Sequence, residues 1–440
     1  MLSKWMMGVS VVALMLQPVF SQDWTTFTAT DGLADNDVRS ILIDPDGVKW
    51  FGTSNGLSRY DGSDWKIYRQ TNEIQTLADN AINDLAFEHS SYGPELWIAT
   101  DNGVSVMSID VDAVTFATPY RTENRDLVSN KVQAVAVDNA HNRFFGTDAG
   151  MSIMQGSEWQ SFTAPLQLTS QDILAIGVDN ENGWRYICTS GGGANRIKME
   201  VDGITSASPY DYDWSGLYSN RVNDVFVKPN SNQWFATNVG AAYHVDYETK
   251  SGWTNHFSED GLGDDTVQVV IEGADGIAWF GTPTGVSLFD GSTWQRISTR
   301  HGLVSNNVVD IAIDTDGSLW FATDQGVSHM VGPFTGVENP VAVPKSFTLH
   351  QNYPNPFNPS THIGYDLAEP GKVMVDIYNV NGQLIRHLVD AYQREGYHEV
   401  NWSGRLENTS NAVAGMYIAR MHVSSSAGEW TDSRKMLLIK

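Results

Sequence analysis

A four-residue phrase recurs seven times in this chain and leaves few architectures open to it. It reads Trp50-Phe51-Gly52-Thr53, Trp97-Ile98-Ala99-Thr100, Phe144-Phe145-Gly146-Thr147, Tyr186-Ile187-Cys188-Thr189, Trp234-Phe235-Ala236-Thr237, Trp279-Phe280-Gly281-Thr282 and Trp320-Phe321-Ala322-Thr323. The threonines are 47, 47, 42, 48, 45 and 41 residues apart. Each is followed three residues later by glycine: Gly56, Gly103, Gly150, Gly192, Gly240, Gly285 and Gly326. A repeat of about 40–50 residues made of short apolar strands cannot bury both its faces alone. Stacked in a ring, such repeats form a β-propeller.

Each unit supplies four strands. It opens on Leu-x-(Asp/Ser)-polar-x-(Val/Ile), starting at Leu33, Leu77, Leu127, Leu168, Leu217, Leu262 and Leu303; the polar residue is Asn except at Gln171 and Asp265. A run such as Val38–Asp44 or Val308–Asp314 follows, β-branched and apolar as suits a strand buried on both faces. Asp44-Pro45-Asp46-Gly47 and Asp314-Thr315-Asp316-Gly317 suit tight hairpins with one residue at positive φ. The aromatic strand, a glycine-containing turn and a third strand come next. A fourth strand carries Trp65/Tyr68, Trp159/Phe162, Trp253/Phe257 or Trp294/Ile297. The seventh unit stops near Met330 without this strand, whereas Trp24-Thr25-Thr26-Phe27 has its pattern. The expectation is an all-β chain. A seven-bladed propeller over residues 22–332 is closed by the N-terminal strand, and a linker (333–344) leads to a small immunoglobulin-like β-sandwich (345–440).

Residues 1–21 read as a cleaved signal peptide, with Lys4, an apolar core from Trp5 to Phe20, and small Val19 and Ser21 before the cleavage point. That core is too short for a stable span, so no transmembrane segment is expected in the mature chain. Cys188 is the sole cysteine, so the exported protein must draw its stability from core size rather than disulfides. Charge separates the two domains. Residues 22–344 hold 17 basic and 43 acidic residues, net −26, whereas residues 345–440 hold 9 of each. So acidic a propeller repels nucleic acid and anionic lipid.

Segments Asp44–Leu57 and Asp314–Val327 resemble the two-component regulator propeller repeat, and the resemblance continues in phase through all seven units. In that family the repeats often form the periplasmic sensing part of hybrid histidine kinases. Here no membrane helix and no kinase-like region follow, so the resemblance implies a detached binding module. The tail segment Asn352-Tyr353-Pro354-Asn355-Pro356-Phe357-Asn358-Pro359-Ser360-Thr361 resembles the opening of the type A sorting domain of the type IX secretion system of Bacteroidetes and relatives. Val375–Gln383, Asn401-Trp402-Ser403-Gly404, Gly415-Met416-Tyr417 and Lys435–Lys440 match its later strands. The resemblance implies the type IX machinery as a partner, export to the cell surface or medium, and a sorting signal that includes Asn352, Pro354, Asn355, Pro356, Phe357, Asn358, Pro359, Gly382, Gly415, Lys435 and Lys440. From the residues alone, Val373, Val375 and Ile377 alternate as in a half-buried strand, and Asn381-Gly382 signals a two-residue hairpin. A Pro-rich opening should lie extended against the sandwich. An accessory domain with no sorting role is the competing reading.

The search for chemistry is mostly negative. His89, His141, His244, His256, His301 and His329 lack metal-ligand spacing, and no nucleophile elbow or phosphate loop occurs. Gly191-Gly192-Gly193 reads as a widened turn, and the Asp-x-Asp-Gly turns lack the remaining calcium ligands. No metal and no cofactor are expected. With the first strand innermost, Asn36, Asn80, Asn130, Gln171, Asn220, Asp265 and Asn306 form a ring on one face. A sevenfold repeat of amides is more often structural. The residue after each varies, so Asp37, Lys131, Asp172 and Arg221 are candidates for a ligand rim, with Asn36, Asn130 and Asn220 beside them. Insertions at Pro119-Tyr120-Arg121 and Pro209–Trp214 offer Tyr210 and Tyr212 as a sugar-stacking surface; alternatively Trp214 is simply the outer-strand Trp of its blade. The resulting expectation is a non-catalytic, secreted or surface-attached binding propeller for a glycan, peptide or protein. A polysaccharide or antibiotic lyase and a purely structural surface protein are the alternatives.

Overall fold

The computed structural model describes residues 23–439 apart from 72–75, 91–92, 110–113, 165–167, 201–202, 213–215, 246–250, 333–345, 353–354, 358–360, 394–395, 407–411 and 427. The leader and the linker expected from the sequence lie outside the described residues. The chain divides into two compact units, Gln22–Phe334 and Thr335–Lys440.

The first unit holds seven four-stranded antiparallel sheets. Blade 1 is Val38–Ile43, Lys49–Thr53, Gly56–Tyr60 and Trp65–Tyr68; blade 2 is Ile82–Ser90, Gly93–Thr100, Gly103–Ile109 and Val114–Phe116. Blade 3 is Val132–Val137, Asn142–Thr147, Gly150–Gln155 and Glu158–Phe162; blade 4 is Ile173–Val178, Trp184–Thr189, Ala194–Glu200 and Gly203–Tyr210. Blade 5 is Val222–Val227, Gln233–Thr237, Gly240–His244 and Trp253–His256; blade 6 is Val269–Glu272, Ala278–Thr282, Gly285–Phe289 and Trp294–Ile297. Blade 7 is Val308–Ile313, Leu319–Thr323, Gly326–Val331 and, from the other end of the chain, Asp23–Phe27. That last strand pairs Trp24 with Met330 and Phe27 with Val327, as its sequence pattern required. The first strands of neighbouring blades touch all the way round, including blade 7 to blade 1. Closure gives blade 7 its fourth strand and packs it against blade 1, so that no blade stands at an open end of the ring.

The repeated phrase is the inter-blade core. Trp50, Trp97, Trp279 and Trp320 are buried, as are Phe144, Tyr186 and Trp234. The third position is small because the next blade's first strand lies against it: a Cβ on Gly52 would stand 2.6 Å from Ile82 Cγ2, and one on Gly146 2.6 Å from Ile173 Cγ2. The threonine closes the following turn, Thr53 Oγ1 donating to Gly56 O at 2.7 Å and Thr323 Oγ1 to Gly326 O at 2.8 Å. Gly103 sits there at φ 113, where a Cβ would be 2.4 Å from Tyr120 O. Blade 4 carries one extra residue. Thr189 Oγ1 reaches Gly193 O, so Gly193 rather than Gly192 is the structural equivalent, in a widened turn.

The second unit contains two sheets around one core. One orders Thr348–Leu349, Thr361–Leu367 and Gly396–Trp402; the other orders Leu384–Gln393, Gly371–Asn379, Gly415–Ser425 and Gly428–Leu438. Val373, Val375 and Ile377 point into that core with Tyr365, Trp402, Met421 and Leu438. The hairpin turn holds three residues, Val380–Gly382, rather than two. Asn379 Oδ1 accepts from the backbone of Asn381 and Gln383, and Gly382 takes φ 77. The Pro-rich opening is anchored by its polar and aromatic members. Asn352 Nδ2 donates to Thr361 Oγ1 at 2.8 Å, Asn355 Oδ1 accepts from Leu437 N at 2.9 Å, and Phe357 is buried. Lys435 offers its carbonyl to Gln351 and Asn355. Gly415 opens the strand that pairs with both neighbours in this sheet. Pro354, Asn358, Pro359 and Lys440 lie outside the described residues.

Candidate functional site

The loops that enter the first strands share a face with the turns after each threonine. Ser54 N donates to Asp37 O, Asp148 N to Lys131 O and Ser190 N to Asp172 O. This face surrounds the mouth of the central channel.

The amide ring is a set of loop staples. Asn36 Oδ1 accepts from Ala29 N, Asn130 Oδ1 from Thr122 N and Asn220 Oδ1 from Tyr212 N, at 2.7, 2.8 and 2.8 Å. Asn80, Asp265 and Asn306 do the same to Gln70, Ser258 and Thr299, while Gln171 donates to Ala164 O instead. Their backbone carbonyls also bind the preceding blade: Gly103 N reaches Asn130 O and Gly193 N reaches Asn220 O. The side-chain oxygens of the candidate residues Asn36, Asn130 and Asn220 are thus engaged by loop backbone N–H groups. Tyr210 is a correction. It is fully buried, lies edge-on to Trp253 and His244, and its hydroxyl accepts from Arg196 NH1 at 2.9 Å. Tyr212 is 59% exposed and meets Tyr218, itself 53% exposed, edge to face. The fourth strand of blade 4 ends at Tyr210, and Trp214 lies outside the described residues.

The variable rim residues differ in their freedom. The Asp37 carboxylate lies 3.4 Å from Arg39, and Asp172 Oδ1 accepts from Gln133 Nε2 at 2.7 Å. Arg221 Nε donates to Asn223 Oδ1 at 3.0 Å while the residue stays exposed, and Lys131 is exposed. No hydrogen bond or ion pair among the described residues joins any two of the four. They occupy blades 1, 3, 4 and 5 around the mouth.

Two further layers were missed from sequence. Six of the seven first strands carry a β-bulge, between Val38 and Ser40 in blade 1, Ile82 and Asp84 in blade 2, and so on. A bulge inserts one unpaired residue and re-aims its side chain. The inserted residues form a collar. Arg39 donates to Asn83 Oδ1, Asn83 to Val132 O, Gln133 to Ile173 O and Asn223 to Val267 O. Gln268, in blade 6, donates to Asn307 Oδ1 and Val308 O. Each bond crosses from one blade to the next; Leu174 and Val309 interrupt the collar at blades 4 and 7.

One residue further along, blades 2, 5 and 7 carry Asp84, Asp224 and Asp310. Each carboxylate bridges to the following blade: Asp84 Oδ2 accepts from Val135 N at 2.8 Å, Asp224 Oδ2 from Val270 N at 3.0 Å and Asp310 Oδ2 from Ile41 N at 2.6 Å. Burial pushes Asp84 up to about 7 and Asp310 up to about 8, with the neighbouring carboxylates adding and the peptide N–H donors opposing. Burial raises Asp224 as well. An Asp at the same step of three first strands was the available signal. Among the described residues no three of His, Cys, Asp and Glu come together as metal ligands.

The far ends of the first strands are cross-braced by ion pairs between blades. Lys49 meets Asp314 at 2.6 Å, Arg143 meets Glu88 at 2.7 Å, and Arg185 meets Asp138. That face carries ion pairs between blades, whereas the mouth presents unrepeated charged and aromatic side chains.

The family model for the Two component regulator propeller matches residues 32–55 and 302–325, and that for the Secretion system C-terminal sorting domain matches residues 351–436. Histidine kinase P4 of Formosa agariphila is 43% identical over 51 residues, 12% of this chain and 4% of that protein. PorZ, an essential surface component of the type-IX secretion system of Porphyromonas gingivalis, superposes with a TM-score of 0.56 at 17% identity, over 94% of this chain and 61% of that one. The extracellular domain of the putative hybrid two component system BT3049 from B. thetaiotaomicron gives 0.59 at 16% identity, over 95% and 54%. Likeness at such identity is likeness of fold. The chain spans a little over half the length of these solved chains and a small fraction of the kinase. It carries regulator-propeller repeats and ends in a secretion-system sorting domain, which implies a secreted or cell-surface protein.

Proposed function

We propose that the propeller is the ligand-binding part of a secreted or surface-attached protein, delivered by the type IX machinery through its C-terminal domain and binding a glycan, peptide or protein at the mouth of its channel. The single observation that carries this reading is the division of labour on that face. The repeated residues there are spent on staples between loops and blades. The unrepeated ones, Lys131, Arg221, Tyr212 and Tyr218, are exposed. A rigid ring presenting variable side chains is how a scaffold expresses specificity. The reading is non-catalytic: the channel carboxylates Asp84, Asp224 and Asp310 are each engaged by backbone N–H groups of the ring. The test is a thermal-shift and glycan-array screen of the full chain, with and without calcium. A shift lost in Arg221→Ala or Asp37→Ala supports binding at the mouth. A ligand unaffected by both variants refutes that location. For the tail, equal export of a fusion protein with and without residues 345–440, in a host with this secretion system, would defeat the sorting reading.

A further inference from the structure

Five blades carry a tryptophan at the first or second position of their outermost strand: Trp24, Trp65, Trp159, Trp253 and Trp294. In four of them the loop entering the blade lays a glycine on the ring. Gly32 and Gly302 take φ 134 and 129, and a Cβ there would fall 2.3 Å from Trp65 Cγ and 2.2 Å from Trp24 Cγ. A Cβ on Gly261 would fall 2.9 Å from Trp294, and one on Gly216 would lie in tight contact with Trp253 at 3.3 Å. The glycine has no side chain because the indole occupies its place. Blade 3 breaks the rule. The residue before Leu127 is Asp126, an exposed residue, and the loop from Tyr120 to Leu127 is one residue longer than that from Phe27 to Leu33.

A groove of about 590 Å³ opens where the glycine is missing. Trp159 and Tyr120 line it, their rings 5.9 Å apart at 76°. Trp159 rests its other contact on the buried ring of Phe145, stacked at 5.6 Å, which fixes its orientation. Glu123, Asn124, Arg125 and Asp126 complete one wall. The wall is held in shape: Asn124 Oδ1 accepts from Arg121 N, its Nδ2 donates to Pro119 O, and Arg125 lies 5.0 Å over the Tyr120 ring. Hydrogen bonds from its own backbone N–H, then from Asn130 and Thr122, hold the Glu123 carboxyl below its ordinary value, so it is an ionised acceptor. The volume falls within the range of small-ligand sites, about 300–1,000 Å³.

We propose that this groove between blades 2 and 3 binds a neutral oligosaccharide, one sugar ring lying on Trp159 and Tyr120 with its hydroxyls donating to Glu123 and Asp126. Fixed aromatic faces suit the C–H face of a pyranose, and rigid carboxylates suit its hydroxyls. Two carboxylates against one guanidinium, on a propeller with 43 acidic and 17 basic residues, exclude a polyuronate. The proposal names a ligand class for the binding reading above but rests on different residues, so each can fail alone.

Isothermal titration of the full chain tests it, with cellopentaose, maltopentaose, mannopentaose, xylopentaose and chitopentaose as neutral probes and polygalacturonate as the acidic one. One neutral probe should bind saturably. Glu123→Ala and Asp126→Gly, both at exposed positions and the second restoring the residue four other blades use, should weaken it at least about tenfold without lowering the melting temperature. Arg221→Ala should leave it unchanged. The groove is refuted if no neutral probe binds, if polygalacturonate binds best, or if both groove variants bind as well as wild type. Binding lost in Arg221→Ala and kept in the groove variants overturns the groove while leaving the channel mouth as the binding face.

Discussion

Raising the pH should weaken the propeller from its axis, and Asp84→Ala should remove a defined share of that weakness. An unfolded aspartate ionises near 3.8, whereas Asp84 in the ring keeps its proton up to about 7. Between those values the folded chain binds more protons than the unfolded one. The stabilisation is therefore complete below about pH 4 and is lost as pH rises to about 7, after which the loss is constant. The whole gap corresponds to on the order of 4 kcal/mol, of which on the order of 3 kcal/mol falls between pH 5 and pH 9. Asp310, held up to about 8, extends the same trend to higher pH. Alanine is what blades 3 and 4 carry at this step, as Ala134 and Ala175, so the backbone accommodates it. The substitution leaves the buried N–H groups of Leu85 and Val135 without their acceptor, each at about 1–3 kcal/mol. At pH 5 the variant should be less stable than wild type by a few kcal/mol. At pH 9, where the wild-type carboxylate is ionised inside the ring, that deficit should shrink by on the order of 3 kcal/mol. Urea unfolding of the full chain, followed by tryptophan fluorescence at pH 5, 7 and 9, measures this. Parallel stability profiles for wild type and variant would show that Asp84 does not titrate differently in the ring, and the argument would fall.

Two other perturbations address the architecture. Trp279→Ala empties a site that is 1% exposed and should cost about 3–5 kcal/mol in chemical denaturation; a loss under about 1 kcal/mol would contradict the blade packing. Deleting residues 22–30 removes the fourth strand of blade 7 and should lower the melting temperature of the entire propeller, so an unchanged melting curve would show that the ring does not depend on it.

The seven units and their closure were legible because they are written in backbone chemistry: aromatic, small residue, threonine, glycine. Each of those has a steric or hydrogen-bonding reason that a sequence displays, such as the 2.6 Å approach of Ile82 to Gly52. The site was less legible. The collar residues Arg39, Asn83 and Gln133 face the mouth only because a bulge shifts the strand by one residue, and nothing in Val-Arg-Ser or Ile-Asn-Asp announces a bulge. Asp84, Asp224 and Asp310 read as scattered acidic residues until the ring brings their strands together. Tyr210 was misread because its strand, Gly203–Tyr210, carries no Trp to mark the register. Its hydroxyl finds Arg196 inside the sheet, and its ring lies beside Trp253 as Phe27 lies beside Trp65 and Tyr120 beside Trp159. Tyr212, two residues on, is outside and exposed. Polar tips on large rings leave such pairs undecided until burial is known.

The strand Asp23–Phe27 is synthesised ahead of every repeat, yet its partner Gly326–Val331 is the last part of the propeller to be made. As the chain emerges from the ribosome, this strand must wait with its partner some three hundred residues behind it. The contact is among the longest-range in the fold, and bringing its ends together costs loop entropy that only the intervening blades, once stacked, can offset. This clasp therefore completes the ring: until Asp23–Phe27 pairs, blade 7 holds only three strands and Gly326–Val331 is an open edge.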